Sequence, residues 1–218
     1  MSKTTFSPNT HIFLWDLHDV ILEKSMWNWF VCCIRFQRKS EIIRHLNLKT
    51  VKICFLFLLE KLKLTKKQMV SEELINAAKC AHNDALIELI MQVCTSYSPI
   101  KKTVTLMHEL TYLGYTHHLG SNIGKTVFDD CTDKFPTIFN LFKEATIPFE
   151  YAAKMIKKPH PDFFHAHTTK HNLKPEQFIF IDDKLINVQA AQSVGMHAIH
   201  FKNARRLRKE LHKLNIIQ

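Results

Sequence analysis

The sequence predicts an α/β fold in which a parallel sheet is wrapped in helices and interrupted early by a helical insert. After residue 100, short apolar runs alternate with amphipathic segments, as strands and helices do in a parallel sheet. Residues 21–99 contain no glycine and a single proline, Pro99, which favours a helical block. Polar residues also recur directly after the predicted strands, at the edge where open α/β sheets bind ligands.

The first strand and the helical insert are distinguished by their hydrophobic period. Residues 11–16 (HIFLWD) form a short apolar run that ends in an acid, as a buried strand followed by a loop does. From residue 25 the apolar residues Met26, Trp29 and Phe30 follow helical spacing. Ser71, followed by two glutamates, is predicted to begin a further helix.

The rest of the chain is predicted to alternate between helix and strand. Gly114 and Gly195 are expected to end helices, because glycine readily takes the left-handed conformation found at helix C-termini. The predicted helices are 101–113, 136–144, 161–171, 187–194 and 204–214. The predicted strands are 115–119, 148–152, 178–181 and 197–201.

The composition is that of a globular protein whose positive charge is unevenly distributed. Hydrophobic residues make up 46% and charged residues 23%, which excludes wholesale disorder. The net charge is +10, and residues 35–67 hold ten Lys/Arg against two glutamates, while residues 202–213 hold six against one. No DNA-reading motif accompanies these charges, so we expect solvated helix faces and no specific nucleic-acid partner.

The sequence gives no indication of export or of membrane insertion. No apolar stretch before a small-residue cleavage site occurs near residue 1, so a secretory signal is not expected. The longest apolar run, residues 53–59, is far shorter than the about 20 residues of a membrane span. The six cysteines show no C-x-x-C pair, which favours reduced thiols. We therefore expect a cytoplasmic protein, as a monomer or a dimer.

Histidine is abundant, with 14 residues, and several histidines are close in sequence. These are His117 and His118, which are adjacent, and His160, His165, His167 and His171. No pair has a matching set elsewhere at zinc spacing, and a helix that begins at Pro161 would spread the second group around its surface. The sequence therefore favours surface or partly packed histidines over a metal site.

Residues suited to phosphate chemistry follow the predicted strands. Asp16, Ser121 and the pair Asp182–Asp183 come directly after strands, and Lys158 lies in the loop after the third strand. Carboxylate oxygens are ligands for Mg²⁺. A lysine and a hydroxyl group neutralise and orient phosphate. The sequence thus predicts a site for a hard cation and an oxyanion.

Four segments resemble, in order and in spacing, the signature motifs of the haloacid dehalogenase superfamily. They are HIFLWDLHDVIL, YTHHLGSN, KKPHPDFF and FIFIDDKLINVQAAQSVGMHAI. The resemblance spans nearly the whole chain and is to the subgroup with a helical cap inserted after the first motif. It implies a Rossmann-like core domain of residues 1–20 and 100–218. It also implies an α-helical cap domain of residues 21–99 that excludes water and selects the substrate.

The resemblance further implies hydrolysis of a small phosphorylated substrate with Mg²⁺ as cofactor. Asp16 matches the nucleophile that forms an aspartyl-phosphate and so divides one difficult step into two. The matching phosphate ligands are Ser121, Asn122 and Lys158, and the matching Mg²⁺ ligands are Asp16, Asp182, Asp183 and the backbone carbonyl of His18.

The first motif departs from the pattern of the family's phosphatases. These usually have D-x-D-G-[TV], in which the second Asp is the general acid/base, whereas here His18 and Asp19 occupy the third and fourth positions. Histidine transfers protons well, but an imidazole beside a divalent cation is difficult to protonate. Three interpretations stay open: His18 is the acid/base, a bulged loop lets Asp19 act instead, or the phosphatase step is crippled.

Two other functions, dehalogenation and binding without catalysis, are compatible with the altered motif. Dehalogenases of the superfamily also lack the second Asp, but they lack the metal-binding pair as well. Because this chain keeps Asp182 and Asp183, dehalogenation is disfavoured. The alternative to an enzyme is a catalytically degenerate protein of the same fold that binds a phosphorylated ligand or a partner.

Overall fold

The computed structural model describes residues 5–24, 34–44, 47–48, 51, 79–80, 82, 84–94, 96–148 and 156–218. The strands are β1 Ile12–Trp15, β2 Leu22–Lys24, β3 Tyr97–Pro99, β4 Thr116–Gly120, β5 Phe142–Thr146, β6 Phe178–Asp182 and β7 His197–His200. The helices are α1 Lys39–Arg44, α2 Asp84–Cys94, α3 Lys101–Tyr112, α4 Lys125–Lys134, α5 Pro136–Phe139, α6 Pro161–Lys170, α7 Leu185–Ser193 and α8 Ala204–Lys213.

A five-stranded parallel sheet, in the order β5-β4-β1-β6-β7, forms the centre of the fold. This arrangement confirms the predicted α/β class, a Rossmann-like sheet flanked by helices. β1 is the middle strand, and its residues Phe13, Leu14 and Trp15 have no exposed surface. Because β1 pairs with β4 and β6, the residues that follow these three strands meet at one edge of the sheet.

The main apolar cluster joins α6 to the sheet. Leu14, Phe163, Phe164, Phe178 and Phe180 are fully buried together in it. The rings of Phe164 and Phe180 make an edge-on contact with centroids 5.2 Å apart. Burying each such side chain contributes about 1.5–3 kcal/mol, so this packing fixes α6, and with it the loop that precedes α6, against the strands.

The chain divides into two compact units. The first comprises residues 1–23, 98–123 and 132–218 and contains the five-stranded sheet, and the second comprises residues 24–97 and 124–131. Most of the second unit, including the predicted helices around Trp29 and Ser71 and most of the basic segment 35–67, lies outside the described residues. The assignment of residues 21–99 to a helical cap therefore stays a prediction.

One predicted helix in the middle of the chain is wrong. The segment expected to be helical over residues 136–144 is the short α5 followed by the strand β5. Apart from Pro148, the strand expected at 148–152 lies outside the described residues, so it stays a prediction. β5 lies at the edge of the sheet, where Lys143 is exposed and Glu144 half-buried. Charged residues are common on edge strands, and here they gave the segment a pattern resembling an amphipathic helix.

The basic C-terminal helix α8 packs on α3. Leu207 and Leu211 are buried, and the Arg208 guanidinium pairs with the Glu109 carboxylate of α3. The side chain of Asn203 accepts a hydrogen bond from the Arg206 amide at 2.9 Å and so caps the helix N-terminus. Within the described part of the chain, no helix has both the length and the apolar character needed to cross a membrane.

Candidate active site

The carboxyl ends of β1, β4 and β6 bring the predicted site residues together. Asp16 and Ser121 follow β1 and β4 directly, and Asp182 is the last residue of β6. The Asp16 amide donates to the Ile181 carbonyl at 2.8 Å, and the Ser121 amide donates to the Thr146 carbonyl at 3.1 Å. These bonds continue the strand pairing past the strand ends and hold the site residues in register.

Lys158 lies between two of the carboxylates. Its Nζ is 2.8 Å from Asp16 Oδ1 and 2.7 Å from Asp182 Oδ2, and its side chain is 1% exposed. Burial alone would lower the pKa of Lys158, but Asp16 and Asp182 raise it above its ordinary value. The lysine is therefore cationic at neutral pH and provides a fixed positive charge in the interior of the site.

The loop that carries Lys158 is held by Asn122. The Asn122 side-chain amide donates to the Lys158 carbonyl at 2.8 Å, and its Oδ1 accepts from the Lys158 amide at 2.8 Å. Asn122 also lines the site cavity. Its side chain positions Lys158, and its predicted contact with phosphate stays a prediction.

Asp182 has further partners that the sequence did not indicate. Asn187 Nδ2 is 3.0 Å from both Asp182 oxygens, and the Lys184 amide donates to Asp182 Oδ1 at 2.8 Å. Asn187 lies in the first turn of α7, five residues after Asp182, and its position directly after the acidic pair is the signal that could have identified it. These donors fix the orientation of the Asp182 carboxylate.

Asp183 lacks such compensation. Its Oδ1 is buried, with no hydrogen-bond partner among the described residues. Burial, together with the charges of Asp16 and Asp182, raises the pKa of Asp183 to about 6. Each of these three residues offers an oxygen within 4.8 Å of the other two. An oxygen-coordinated divalent cation would relieve this repulsion, so the donor set fits Mg²⁺.

Ser121 has the properties of a ligand-binding hydroxyl group. The residue has no exposed surface, and its Oγ has no hydrogen-bond partner within the described ranges. Leaving a buried hydroxyl group without a partner costs about 1–3 kcal/mol. An oxyanion that accepted a hydrogen bond from Ser121 would remove this cost.

The first-motif loop places both His18 and Asp19 on the site cavity. Asp19 has a φ of 59°, and its amide donates to the Leu22 carbonyl at 2.8 Å. Asp19 thus takes the left-handed conformation that suits the glycine usual at this position, and aspartate is among the few other residues that tolerate it. The cavity is about 60 Å³ and is lined by Asp16, His18, Asp19, Asn122, Lys158, Asp183, Lys184 and Asn187.

Comparison with solved structures supports the fold. An enzyme of the HAD family from Bacteroides thetaiotaomicron, BT-2542, crystallised with magnesium and inorganic phosphate, is 20% identical; the match covers 88% of this chain and 94% of that chain, with a TM-score of 0.59. The L-2-haloacid dehalogenase from Xanthobacter autotrophicus, with covalently bound chloropropionic acid, is 14% identical over 95% of this chain and 84% of that chain, with a TM-score of 0.57. A search of curated proteins gave no match.

A model of a protein family also matches this chain. The profile of the haloacid dehalogenase-like hydrolases matches residues 37–201. This range contains Ser121, Lys158 and the pair Asp182–Asp183, whereas Asp16 precedes it. Because the matched range is well over half of the 218 residues, the chain belongs to the haloacid dehalogenase-like hydrolase family.

Proposed function

We propose that the protein hydrolyses small phosphomonoesters with Mg²⁺ as cofactor and an aspartyl-phosphate at Asp16 as intermediate. The observation that carries this proposal is the position of Lys158, buried between Asp16 and Asp182 beside the uncompensated Asp183. A fixed cation and carboxylates suited to a metal ion line a cavity of about 60 Å³, and the buried Ser121 hydroxyl group directly precedes Asn122 of the same lining. This combination is complementary to a phosphoryl group.

Each site residue has a distinct part in this reaction. The Asp16 carboxylate attacks phosphorus, and the ester oxygen leaves. Lys158 holds the equatorial phosphoryl oxygens by charge, and the Ser121 hydroxyl group donates a hydrogen bond to one of them. Bound Mg²⁺ would withdraw charge from the phosphoryl group and neutralise the carboxylates. Its proposed ligands are Asp16, Asp182, Asp183 and the His18 carbonyl.

We assign the general acid/base to His18. His18 is half-buried and lines the site cavity, whereas Asp19 is exposed and also lines a wider cleft of about 820 Å³ with Glu23 and Lys101. An imidazolium at His18 would give its proton to the leaving oxygen. The neutral imidazole would then take a proton from the water that hydrolyses the aspartyl-phosphate.

Turnover of an aryl phosphate by the metal-loaded protein tests the proposed function directly. We expect release of inorganic phosphate that depends on Mg²⁺ and exceeds that of alkyl phosphates, because an aryl leaving group needs little protonation. We expect no chloride release from 2-chloropropionate, since Asp182 and Asp183 favour phosphate chemistry. Chloride release without phosphatase activity would replace the proposal with dehalogenation.

His18→Ala is expected to lower kcat for an alkyl phosphate by about 10²–10⁴-fold, the usual contribution of a general acid/base. The loss on an aryl phosphate should be smaller, because its leaving group departs without a proton. The matched control is Asp19→Gly, which removes the neighbouring carboxylate while accommodating the left-handed backbone. If Asp19→Gly loses the alkyl-phosphate activity and His18→Ala keeps it, the roles are reversed.

Mg²⁺ is expected to raise the melting temperature at pH 7.5 and to have little effect at pH 5. The pKa of Asp183 is raised to about 6, so a proton competes with the cation as the pH falls through that value. At ten times its Kd, Mg²⁺ adds about 1.4 kcal/mol, or about 3–6 °C for a chain of this size. Thermal unfolding with and without Mg²⁺ at both pH values measures the effect.

Asp183→Asn tests whether ionised Asp183 destabilises the metal-free protein and is needed for the response to Mg²⁺. Ionised Asp183 destabilises the metal-free fold above its unfolded pKa of about 3.9, and fully so above pH 6. The variant should therefore melt higher than wild type at pH 7.5 in chelator, yet lose the Mg²⁺ response. Asp133→Asn, which changes an exposed carboxylate of α4, should behave like wild type in both respects. Equal Mg²⁺ responses in Asp183→Asn and wild type would exclude this metal site.

The altered first motif supports one second candidate, a degenerate protein that binds a phosphorylated ligand without turning it over. His18 replaces the acid/base carboxylate, and Asp19 replaces the usual glycine in a left-handed conformation. In that case, calorimetry should detect Mg²⁺-dependent binding of inorganic phosphate, while aryl phosphates are bound but not cleaved. Phosphate release that is lost in Asp16→Asn would eliminate this candidate.

A further inference from the structure

Three histidines form a second cluster of metal-ligating side chains. His118 of β4, His167 of α6 and His171, directly after α6, each offer a ring nitrogen within 4.8 Å of the other two. Their ring centroids lie 4.7–5.2 Å apart. His118 is 2% exposed and His167 has no exposed surface. The expectation of surface or partly packed histidines is therefore wrong for these two residues, because the strand supplies a partner that sequence spacing did not show.

The nitrogen positions are close to those of a metal site. Nitrogen ligands about 2.0–2.1 Å from a tetrahedral Zn²⁺ lie about 3.4 Å from one another. His118 Nδ1 and His167 Nε2 are 3.1 Å apart, about 0.3 Å short of this spacing, so a small outward movement of the two rings would accommodate the ion. His171 lies one helical turn after His167, on the same side of the chain, which is the i, i+4 spacing of many histidine ligand pairs.

A threonine on the neighbouring strand orients the cluster. Thr146 Oγ1 of β5 lies 2.7 Å from His167 Nδ1 and is fully buried. When His167 Nδ1 donates to this oxygen, the lone pair of Nε2 faces His118. The hydrogen-bond acceptor behind a metal-bound histidine fixes its tautomer and ring orientation in the same way. The contact between His118 Nδ1 and His167 Nε2 then holds a single proton, and a metal ion would take the place of that proton.

The imidazole ligands and the charges around the cluster determine which metal ions it can bind. A donor set of neutral imidazoles suits Zn²⁺, Ni²⁺ or Cu²⁺ and does not suit Mg²⁺. His167 and His171 lie at the C-terminal end of α6, where the helix dipole favours a cation. Lys143 and Lys170 are near His118 and oppose a positive ion. We therefore expect a site that is selective for these ions over Mg²⁺.

We propose that His118, His167 and His171 bind one borderline divalent cation, with Zn²⁺ as the leading candidate. The ion would fasten α6 to β4. β4 leads into Ser121, and α6 begins three residues after Lys158, so the bound ion would brace the two elements that carry these side chains. The proposal rests on this cluster alone and is independent of the phosphatase assignment.

Zinc titration of the full chain tests the site. Chelator-stripped protein is kept in millimolar Mg²⁺, so that the carboxylate cluster is occupied, and Zn²⁺ is added under calorimetry. We expect one strong equivalent and a higher melting temperature. Co²⁺ in its place should give the intense visible absorption of a four-coordinate ion. His171→Ala should lose all three signals, whereas His165→Ala, an exposed histidine of the same helix, should keep them.

Thr146→Val keeps the proposal testable if His171→Ala fails to fold. The variant preserves side-chain volume and removes only the oxygen that orients His167. Loss of this hydrogen bond to His167 should weaken Zn²⁺ binding about 10–100-fold while the stoichiometry stays at one. The proposal is overturned if wild type shows no strong equivalent, if Thr146→Val and wild type bind equally, or if His165→Ala loses as much as His171→Ala. Loss of the equivalent in Asp182→Asn would also overturn it, because the ion would then occupy the carboxylate cluster.

Discussion

Asp16→Asn is expected to abolish phosphomonoester turnover, with kcat falling by about 10⁴-fold or more, the scale reached when an enzyme loses its nucleophile. The amide is isosteric with the carboxylate but cannot form the acyl-phosphate, so no covalent intermediate accumulates. Asp16 directly follows the central strand and is 5% exposed, and the substitution changes charge with little change in packing. Steady-state release of phosphate from an aryl ester in Mg²⁺ measures the loss.

Asp16→Asn is expected to fold and to bind its substrate as wild type does. In Asp16→Asn, Lys158 keeps its ion pair with Asp182, so the melting temperature should stay near that of wild type. Rapid quenching of wild type with a labelled substrate should trap one acid-stable phosphoryl group per chain, and the variant should trap none. Asp133→Asn, which changes an exposed carboxylate, should keep full activity. Activity that persists in Asp16→Asn would assign the nucleophile elsewhere.

The convergence of the site could be predicted because strand ends share an edge of a parallel sheet. Asp16, Ser121 and Asp182 follow or end three neighbouring strands, and that rule alone brings them together. The sequence could not show that Lys158 would lie within hydrogen-bonding distance of two carboxylates. That depends on the Asn122 amide, which binds both backbone polar groups of Lys158 from 36 residues away.

The elements predicted correctly are those with a strong period or a clear end. β1 and β6 are continuous apolar runs, and Gly114 and Gly195, which end α3 and α7, have the positive φ that a helix-ending glycine takes. The first part of β5 was predicted as helix because an edge strand is only half-buried and its side chains carry no clean alternation. The histidine cluster was missed for a different reason: His118 and His167 are 49 residues apart and meet only through packing.

Lys158→Met is expected to lower the free energy of unfolding by about 3–5 kcal/mol in metal-free protein at pH 7.5, the range for removing one partner of a buried ion pair. Methionine fills the same space, but Asp16 and Asp182 then lie in the interior without their shared cation. Urea unfolding in chelator measures the difference. Lys157→Met removes an exposed neighbouring lysine and should change stability by about 0.5 kcal/mol at most.

The pH dependence separates this electrostatic effect from a simple packing defect. The pKa of Lys158 is raised in the fold, so its contribution is complete below the unfolded pKa of about 10.4 and is lost as the pH rises through the higher folded value. In Lys158→Met, acid restores stability instead, because protonating a carboxyl group removes the repulsion. The difference in free energy of unfolding between wild type and Lys158→Met should therefore be largest near neutral pH and smaller at both extremes of pH.

Mg²⁺ should also reduce this difference in free energy of unfolding at pH 7.5, since the cation neutralises the same carboxylates. A deficit that stays constant with pH and with Mg²⁺ would show that Lys158 stabilises the fold by packing alone.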